Sequence, residues 1–193
     1  MTALIVESAG PATSLQDSGR FGWQRYGVGP AGAMDRLSLA LANSLVGNVP
    51  GAAAIEFALA GGHLRVAGGS ARIARAGADG NLKIGGKPVA PLTSATAHGG
   101  EAIEIEAARS GMFFYLAVAG GFTITPALGS LSLHHRTGIG ALGGRTLRAG
   151  DRLPLRLSAP SGTELALPGP PQTPLGPIRV VSGPQDDHFT SVA

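Results

Sequence analysis

A mainly β fold, a closed or nearly closed barrel carrying one principal helix, is what this 193-residue chain predicts. Three observations predict it. Short apolar or alternating runs bounded by glycine recur along the chain, as they do in all-β proteins. Glycine (31) and proline (14) make nearly a quarter of the residues while charged residues are 14%, so turns are many and helices few. Only one segment has the helical period.

Taken in order, Ala3 to Glu7 is the first strand, an apolar run closed by a charge. The helix begins at Asp35, which can cap its first free amides. Leu37, Leu41 and Leu45, with Ala40 and Ser44 beside them, predict one buried stripe, and Gly47 can take the left-handed position after the last turn. Strands follow at Ala53 to Ala58, His63 to Ala67 and Ala71 to Ala76. In Ala102 to Glu106, Ile103 and Ile105 alternate with Glu104 and Glu106, the pattern of a half-exposed strand. Met112 to Val118 is apolar throughout and so predicts a central strand covered on both sides. Arg152 to Leu157 is the last strand, and Gly99-Gly100, Gly120-Gly121 and Gly150-Asp151 supply turns. About ten strands and a single helix describe a barrel over residues 1–157 with the helix plugging one end.

From 158 to 177 the texture changes. Six prolines in twenty residues stiffen the chain and remove sheet donors, so the segment reads as a Pro-rich linker. A new strand, IRVVSG, then opens within 178–193 as the start of a second, mostly absent domain, and implies that more protein follows.

Composition excludes several classes of function. A hydrophobic content of 44% is incompatible with disorder. No apolar run approaches the ~20 residues that span a bilayer, and residues 1–10 lack the charged start and cleavage site of a signal peptide, so a cytoplasmic protein with no membrane contact is expected. The absence of cysteine removes disulfides, thiolate zinc sites and a cysteine nucleophile. A net charge of +3 is carried by singly scattered arginines without aromatic platforms, which argues against nucleic acid.

Gly27, Gly29 and Gly32 match G-x-G-x-x-G, as do Gly138, Gly140 and Gly143, but neither set follows a strand inside a repeated strand-helix-strand unit, so both read as tight turns. There is no phosphate-binding G-x-x-x-x-G-K-[ST], no G-x-S-x-G elbow around Ser14 or Ser130, and no metal-ligand spacing among His63, His98, His134, His135 and His188. No metal is expected.

The polar residues that remain among the glycines and apolar positions of 13–56 are Asp17, Arg20, Asp35, Asn43, Asn48 and Glu56. In LQDSGRFG, Asp17 and Ser18 can bond the backbone of a turn at Gly19, and Arg20 then offers a planar fork. That fork serves either an anion or a neighbouring subunit, or an internal acid-arginine pair that holds the turn. Glu56, between Ile55 and Phe57, either faces solvent or sits paired inside, with Arg20 and Arg145 as candidate partners.

The strings TSLQDSGRFG, GAMD, ANSLVGN, the isolated Glu56, YLAVAGG, Gly129-Ser130 and GGRTLRAGD run in order from Thr13 to Asp151, and RVVSGPQDDHF follows at 179–189. Together they resemble the family of C-type 5-oxoprolinase subunits, also called allophanate hydrolase subunit 2-like or biotin-dependent carboxyltransferase-like, which includes the antagonist of the Kip kinase inhibitor. The resemblance implies a cyclophilin-like β-barrel and the start of a second similar half. It also implies a chain that binds no cofactor alone but works with a B-type sister subunit and a larger A-type subunit, the complex using ATP to open the lactam 5-oxo-L-proline to L-glutamate. Within that expectation Arg20 is the anion partner, Asp17 and Glu56 position it, and Asp35, Asn43, Asn48 and Arg145 make further contacts with substrate or with another subunit. A regulatory protein binding a Kip-type inhibitor and a carboxyltransferase component of the urea carboxylase type are the alternative expectations.

Overall fold

The computed structural model describes residues 1–156, 162–169, 176–177, 180–181, 183–188 and 190. Two antiparallel sheets and one principal helix make the fold. The strands are β1 (Ala3–Ala9), β2 (Ser14–Gln16), β3 (Ala54–Ala58), β4 (Gly62–Ala67), β5 (Ser70–Asp79), β6 (Leu82–Ile84), β7 (Lys87–Val89), β8 (Ser94–His98), β9 (Ala102–Ile105), β10 (Ser110–Val118) and β11 (Arg152–Pro154). A six-stranded sheet runs β11-β1-β4-β9-β6-β7, and a five-stranded sheet runs β2-β3-β10-β5-β8. β10, the apolar run, is the central strand of the second sheet, as its sequence predicts.

The core lies between the sheets. Leu4, Val6, Leu64, Val66, Ile103 and Ile105 from one sheet meet Ile55, Phe57, Ile73, Phe114, Leu116 and Val118 from the other. Phe57 and Phe114 stack with ring centroids 5.1 Å apart. Each such side chain contributes about 1.5–3 kcal/mol by leaving water.

The helix α1 (Arg36–Leu45) does not plug an end; it packs against the opposite face of the five-stranded sheet. That face is smooth, because Ala54 on β3, Ala74 and Ala76 on β5 and Ala117 on β10 leave room for a helix at close range. The buried stripe is also turned from the expected one. Ser38, Leu39, Ala42, Asn43 and Leu45 are buried, Leu41 is only partly so, and Leu37 is 58% exposed. Leucines four apart drift by about 40° per step on a 3.6-residue helix, so their spacing alone does not choose which side meets the sheet.

Beyond β11, part of the Pro-rich segment lies alongside β8: Ser94 N–H donates to the Leu165 carbonyl at 2.8 Å and Leu167 N–H to the Leu92 carbonyl at 3.0 Å. Residues 158–161 and 170–175 of that segment, and 178–179, 182, 189 and 191–193 of the stretch where a second-domain strand is expected, lie outside the described residues. Among the described residues no helix is long and apolar enough to cross a membrane.

Candidate functional site

β2 ends just before Asp17, whose carboxylate gathers a distant part of the chain. Oδ1 accepts from the Gly19 N–H at 2.8 Å and from the Ser130 and Ser132 hydroxyls, each at 2.6 Å; Oδ2 accepts from the Leu131 N–H at 2.7 Å. The Asp17 N–H donates back to the Ser132 hydroxyl at 2.8 Å. Gly19 has φ +96°, and a Cβ there would come within 2.8 Å of the Pro30 and Ala31 carbonyl oxygens, so the turn needs glycine.

Arg20, whose fork suits an anion, a neighbouring subunit or an internal acid, is 1% exposed. Its Nε donates to the Ala127 carbonyl at 3.4 Å, its Nη2 donates to the Ser132 carbonyl, and Nη1 has no hydrogen-bond partner. Burial lowers the Arg20 pKa and the Asp17 charge opposes that shift. Asp17 and Arg20 therefore clasp the same 127–132 segment from one turn.

A second latch sets the start of α1. Glu56 is buried, and its Oε2 accepts from the Tyr115 hydroxyl at 2.7 Å and from the Met34 N–H at 2.9 Å. The same Tyr115 oxygen accepts from the Asp35 N–H at 2.8 Å. Burial, then the hydrogen bond to Glu56, raises the Tyr115 pKa above its ordinary value. The expected partners of Glu56, Arg20 and Arg145, are thus replaced by a phenol and a backbone amide. The reason is register: Tyr115 stands opposite Glu56 in the β3–β10 ladder, so the pair meets by strand geometry. Asp35 caps α1 as expected, accepting from the Ser38 N–H at 3.0 Å and the Ser38 hydroxyl at 2.5 Å.

A third latch fixes the helix's other end. Asn43 is fully buried; its Nδ2 donates to the Ala52 carbonyl at 2.8 Å and its Oδ1 accepts from Asn48 Nδ2 at 2.9 Å. Asn48 also donates to the Val118 carbonyl and accepts from the Gly120 N–H, both at 2.8 Å, tying the helix exit to the end of β10.

Arg145 stands apart from these three, paired with Asp151 through two 2.7 Å hydrogen bonds. The Arg145 hydrogen bond holds the Asp151 carboxyl below its ordinary range against the opposing effect of burial, and Asp151 raises Arg145. A carboxyl lowered on folding stabilises fully above its unfolded pKa, about 3.9, and loses that contribution as pH falls through the folded value. The urea midpoint is therefore expected to decline below about pH 4, and Arg145→Ala to flatten the decline in that window; an identical pH profile for the variant would remove this pair as a cause.

A cavity of about 590 Å³ lies between the start of α1 and the β5–β6 and 89–93 segments, lined among others by Asp35, Leu37, Leu41, Arg75, Val89 and Leu92. Of the seven candidate residues that the sequence marks, Asp35 alone reaches it. Arg75 is not among those seven. Its guanidinium lies 4.3 Å from the Phe114 ring centroid and Nη1 donates to the Gly80 carbonyl at 2.9 Å, while Nε and Nη2 are buried with no hydrogen-bond partner. Burial pushes its pKa down to about 10, with Asp79 opposing, so it stays charged at neutral pH. An unpartnered buried donor costs about 1–3 kcal/mol, more on a charged group. Strand parity is the signal that reveals this residue, because Arg75 shares the strand face of Ala71 and Ile73, which point to the core. Among the described residues no group of three His, Asp or Glu side chains is arranged to hold a metal.

The family model described as carboxyltransferase domain, subdomain A and B, matches residues 26–193. The C-type 5-oxoprolinase subunit of Escherichia coli is 36% identical over 188 residues, 96% of this chain and 59% of the relative. That of Haemophilus influenzae is 38% identical over 140 residues, 72% of this chain and 45% of the relative. The chain thus spans about half the length of the curated relatives it matches. Among solved structures, the crystal structure of the K. lactis urea amidolyase superposes with a TM-score of 0.76 at 33% identity, covering 80% of this chain and 9% of that one.

Proposed function

This chain belongs to the carboxyltransferase domain, subdomain A and B, family, and from that premise we propose that it is a subunit of an ATP-dependent 5-oxoprolinase complex. The complex would open 5-oxo-L-proline to L-glutamate, with a B-type sister and a larger A-type subunit as partners. The observation that carries the reading is the 36% identity with the E. coli subunit along 96% of this chain. A lactam carbonyl is a weak electrophile, and phosphoryl transfer from ATP to its oxygen gives ring-opening water a carbon it can attack. In this reading the chain shapes and positions. The Asp17–Arg20 clasp and the Glu56–Tyr115 latch orient the 19–34 loop and the start of α1, and their inward hydrogen bonds support positioning over direct contact with substrate.

Docking of a partner subunit is supported by the surface of the same region. Phe21 is 58% exposed, Tyr26 63%, Met34 70% and Val49 72%, a concentration of large apolar side chains along one stretch of chain. The likeness to the K. lactis urea amidolyase favours one second reading, a component of biotin-dependent carboxyl transfer.

Co-expression with the sister and large subunits, followed by measurement of glutamate from 5-oxoproline with and without ATP, tests both. ATP-dependent glutamate that is lost when this chain is omitted is the expected result. Undiminished glutamate without the chain overturns the proposal, and carboxyl transfer from a biotin carboxylase partner in place of glutamate formation establishes the second reading.

A further inference from the structure

The stretches 18–34 and 107–150 hold no aspartate or glutamate, and the fold brings parts of both together. The Arg20 N–H donates to the Pro30 carbonyl at 2.7 Å, closing a loop that the Asp17–Arg20 clasp ties to 127–132. Gly29 lies against His134, since a Cβ there would stand 3.1 Å from its Nε2. The carboxylates bordering the loop, Asp17, Asp35 and Glu56, accept from internal donors. The exposed charges of the region are therefore cationic: Arg25, Arg36 and, two residues beyond His134, Arg136 have no carboxylate partner among the described residues.

Two of these guanidiniums are held in place by rings. Arg25 lies 4.8 Å from the Tyr26 ring centroid, and Tyr26 packs on Trp23 at 5.9 Å around a 3-10 turn, Gln24–Tyr26, that Gly27 closes at φ +76°. Arg36, the first residue of α1, lies 5.8 Å from the Phe21 ring centroid. A ring face attracts a guanidinium through its quadrupole and leaves the N–H edges free. Elsewhere Arg65, Arg109 and Arg145 pair with Glu7, Asp79 and Asp151.

Exposed Phe21, Tyr26 and Met34 among unpaired arginines have the make-up of a protein interface, where aromatic residues, methionine and arginine concentrate and acids are scarce. None of Phe21, Arg25, Tyr26 and Arg36 lines the cavity beside α1, so their surface suits an extended partner over a small ligand. We propose that the 21–36 face docks an acidic protein partner, one that sets carboxylates around apolar side chains so that each carboxylate meets a guanidinium already held by a ring. Resting on the 5-oxoprolinase reading above, that partner is a subunit of the same complex.

The test is capture of this full chain by tagged sister and large subunits after co-expression, with the affinity then measured at two salt concentrations. Arg25→Glu/Arg36→Glu and, separately, Phe21→Ala should each weaken binding about tenfold or more. Their thermal midpoints should match the parent's, because all three side chains are exposed. Raising salt from about 50 to about 500 mM should weaken the parent complex about tenfold. Arg25→Lys/Arg36→Lys, which keeps both charges, should retain that salt dependence, and the glutamate pair should lose it. Lys87→Glu/Arg152→Glu puts the same change of charge on the six-stranded sheet and should leave affinity unchanged.

An equal loss in this last variant assigns the effect to net charge and overturns the face, as does unchanged affinity in Arg25→Glu/Arg36→Glu and Phe21→Ala. A parent complex indifferent to salt overturns the acidic partner. Binding of a single-stranded oligonucleotide by the parent chain, lost in the glutamate pair, overturns a protein occupant in favour of nucleic acid. Glutamate formed from 5-oxoproline by a complex whose assembly ignores these variants removes the face and leaves the 5-oxoprolinase reading standing. Assembly that depends on them without glutamate formation keeps the face and removes that reading, and failure of the parent chain to assemble overturns both.

Discussion

Replacing Asp17 with alanine is expected to cost about 3–5 kcal/mol of folding stability, enough to lower the thermal midpoint by about 10 °C. One carboxylate accepts four hydrogen bonds, from two amides and two hydroxyls, all between 2.6 and 2.8 Å. Three of those donors belong to Ser130, Leu131 and Ser132, more than a hundred residues away in sequence. Alanine strands all four donors, three of them on buried residues, and the segment they anchor loses its charged acceptor. Asp17→Asn should fall between, since an amide retains one accepting oxygen and presents a donor where a second acceptor stood. Urea unfolding followed by fluorescence of Trp23 reads the difference. A loss below about 1 kcal/mol for Asp17→Ala would mean that the 127–132 segment is held by something else.

Arg20→Ala is the second large effect, expected at about 3–5 kcal/mol by a different route. Arg20 heads the largest fully buried side chains, so truncation leaves a void as well as freeing the carbonyls of Ala127 and Ser132. Arg20→Met separates the two costs. It refills most of the volume and removes a buried charge, so it should recover roughly half of the loss, leaving the unpaired carbonyls as the remainder. Because Asp17 and Arg20 hold the same segment, the double variant should be less destabilised than the sum of the singles, with a coupling of about 0.5–3 kcal/mol. Strict additivity would show that the two act on separate structures.

Much of the fold can be read from patterns strong enough to survive any tertiary arrangement. The alternation of Ile103 and Ile105 with glutamates, the unbroken apolar run into Val118, the Asp35 cap and the glycine at 47 all state local geometry, and each is found where its pattern points. The strands without such a pattern are β2, β6, β7 and β8. Three of these are three residues long, too short to express a period of two, and β8, SATAH, has few apolar side chains. Their pairing comes from the neighbours they border, Leu82 and Ile84 opposite Ile105 and Ile103 for example.

The candidate site is legible in part. Residue type and placement mark Asp17, Arg20, Asp35, Asn43, Asn48 and Glu56, and all six take part in the hydrogen bonding around α1 and the loop before it. Their partners are not legible. Glu56 meets Tyr115 because two strands 59 residues apart pair in that register, and Arg145 meets Asp151 because the chain turns back at Gly150. Arg75 carries no such mark, because an arginine in a strand reads as a solvent-facing residue until the parity of its neighbours is traced to the core.

By itself the sequence determined the fold class, the position and capping of its single principal helix, the order of its longer strands and its family, because these follow from local periodicity, turn chemistry and motif order. Only the tertiary structure decided which face of α1 is buried, that the helix covers a sheet instead of closing an end, that Arg20 turns inward, and that Arg75 keeps two donors unpaired beside a cavity. Those outcomes depend on which surfaces lie within hydrogen-bond and van der Waals reach once distant segments meet, and the smooth alanine face of the five-stranded sheet exists only after β3, β5 and β10 have come together.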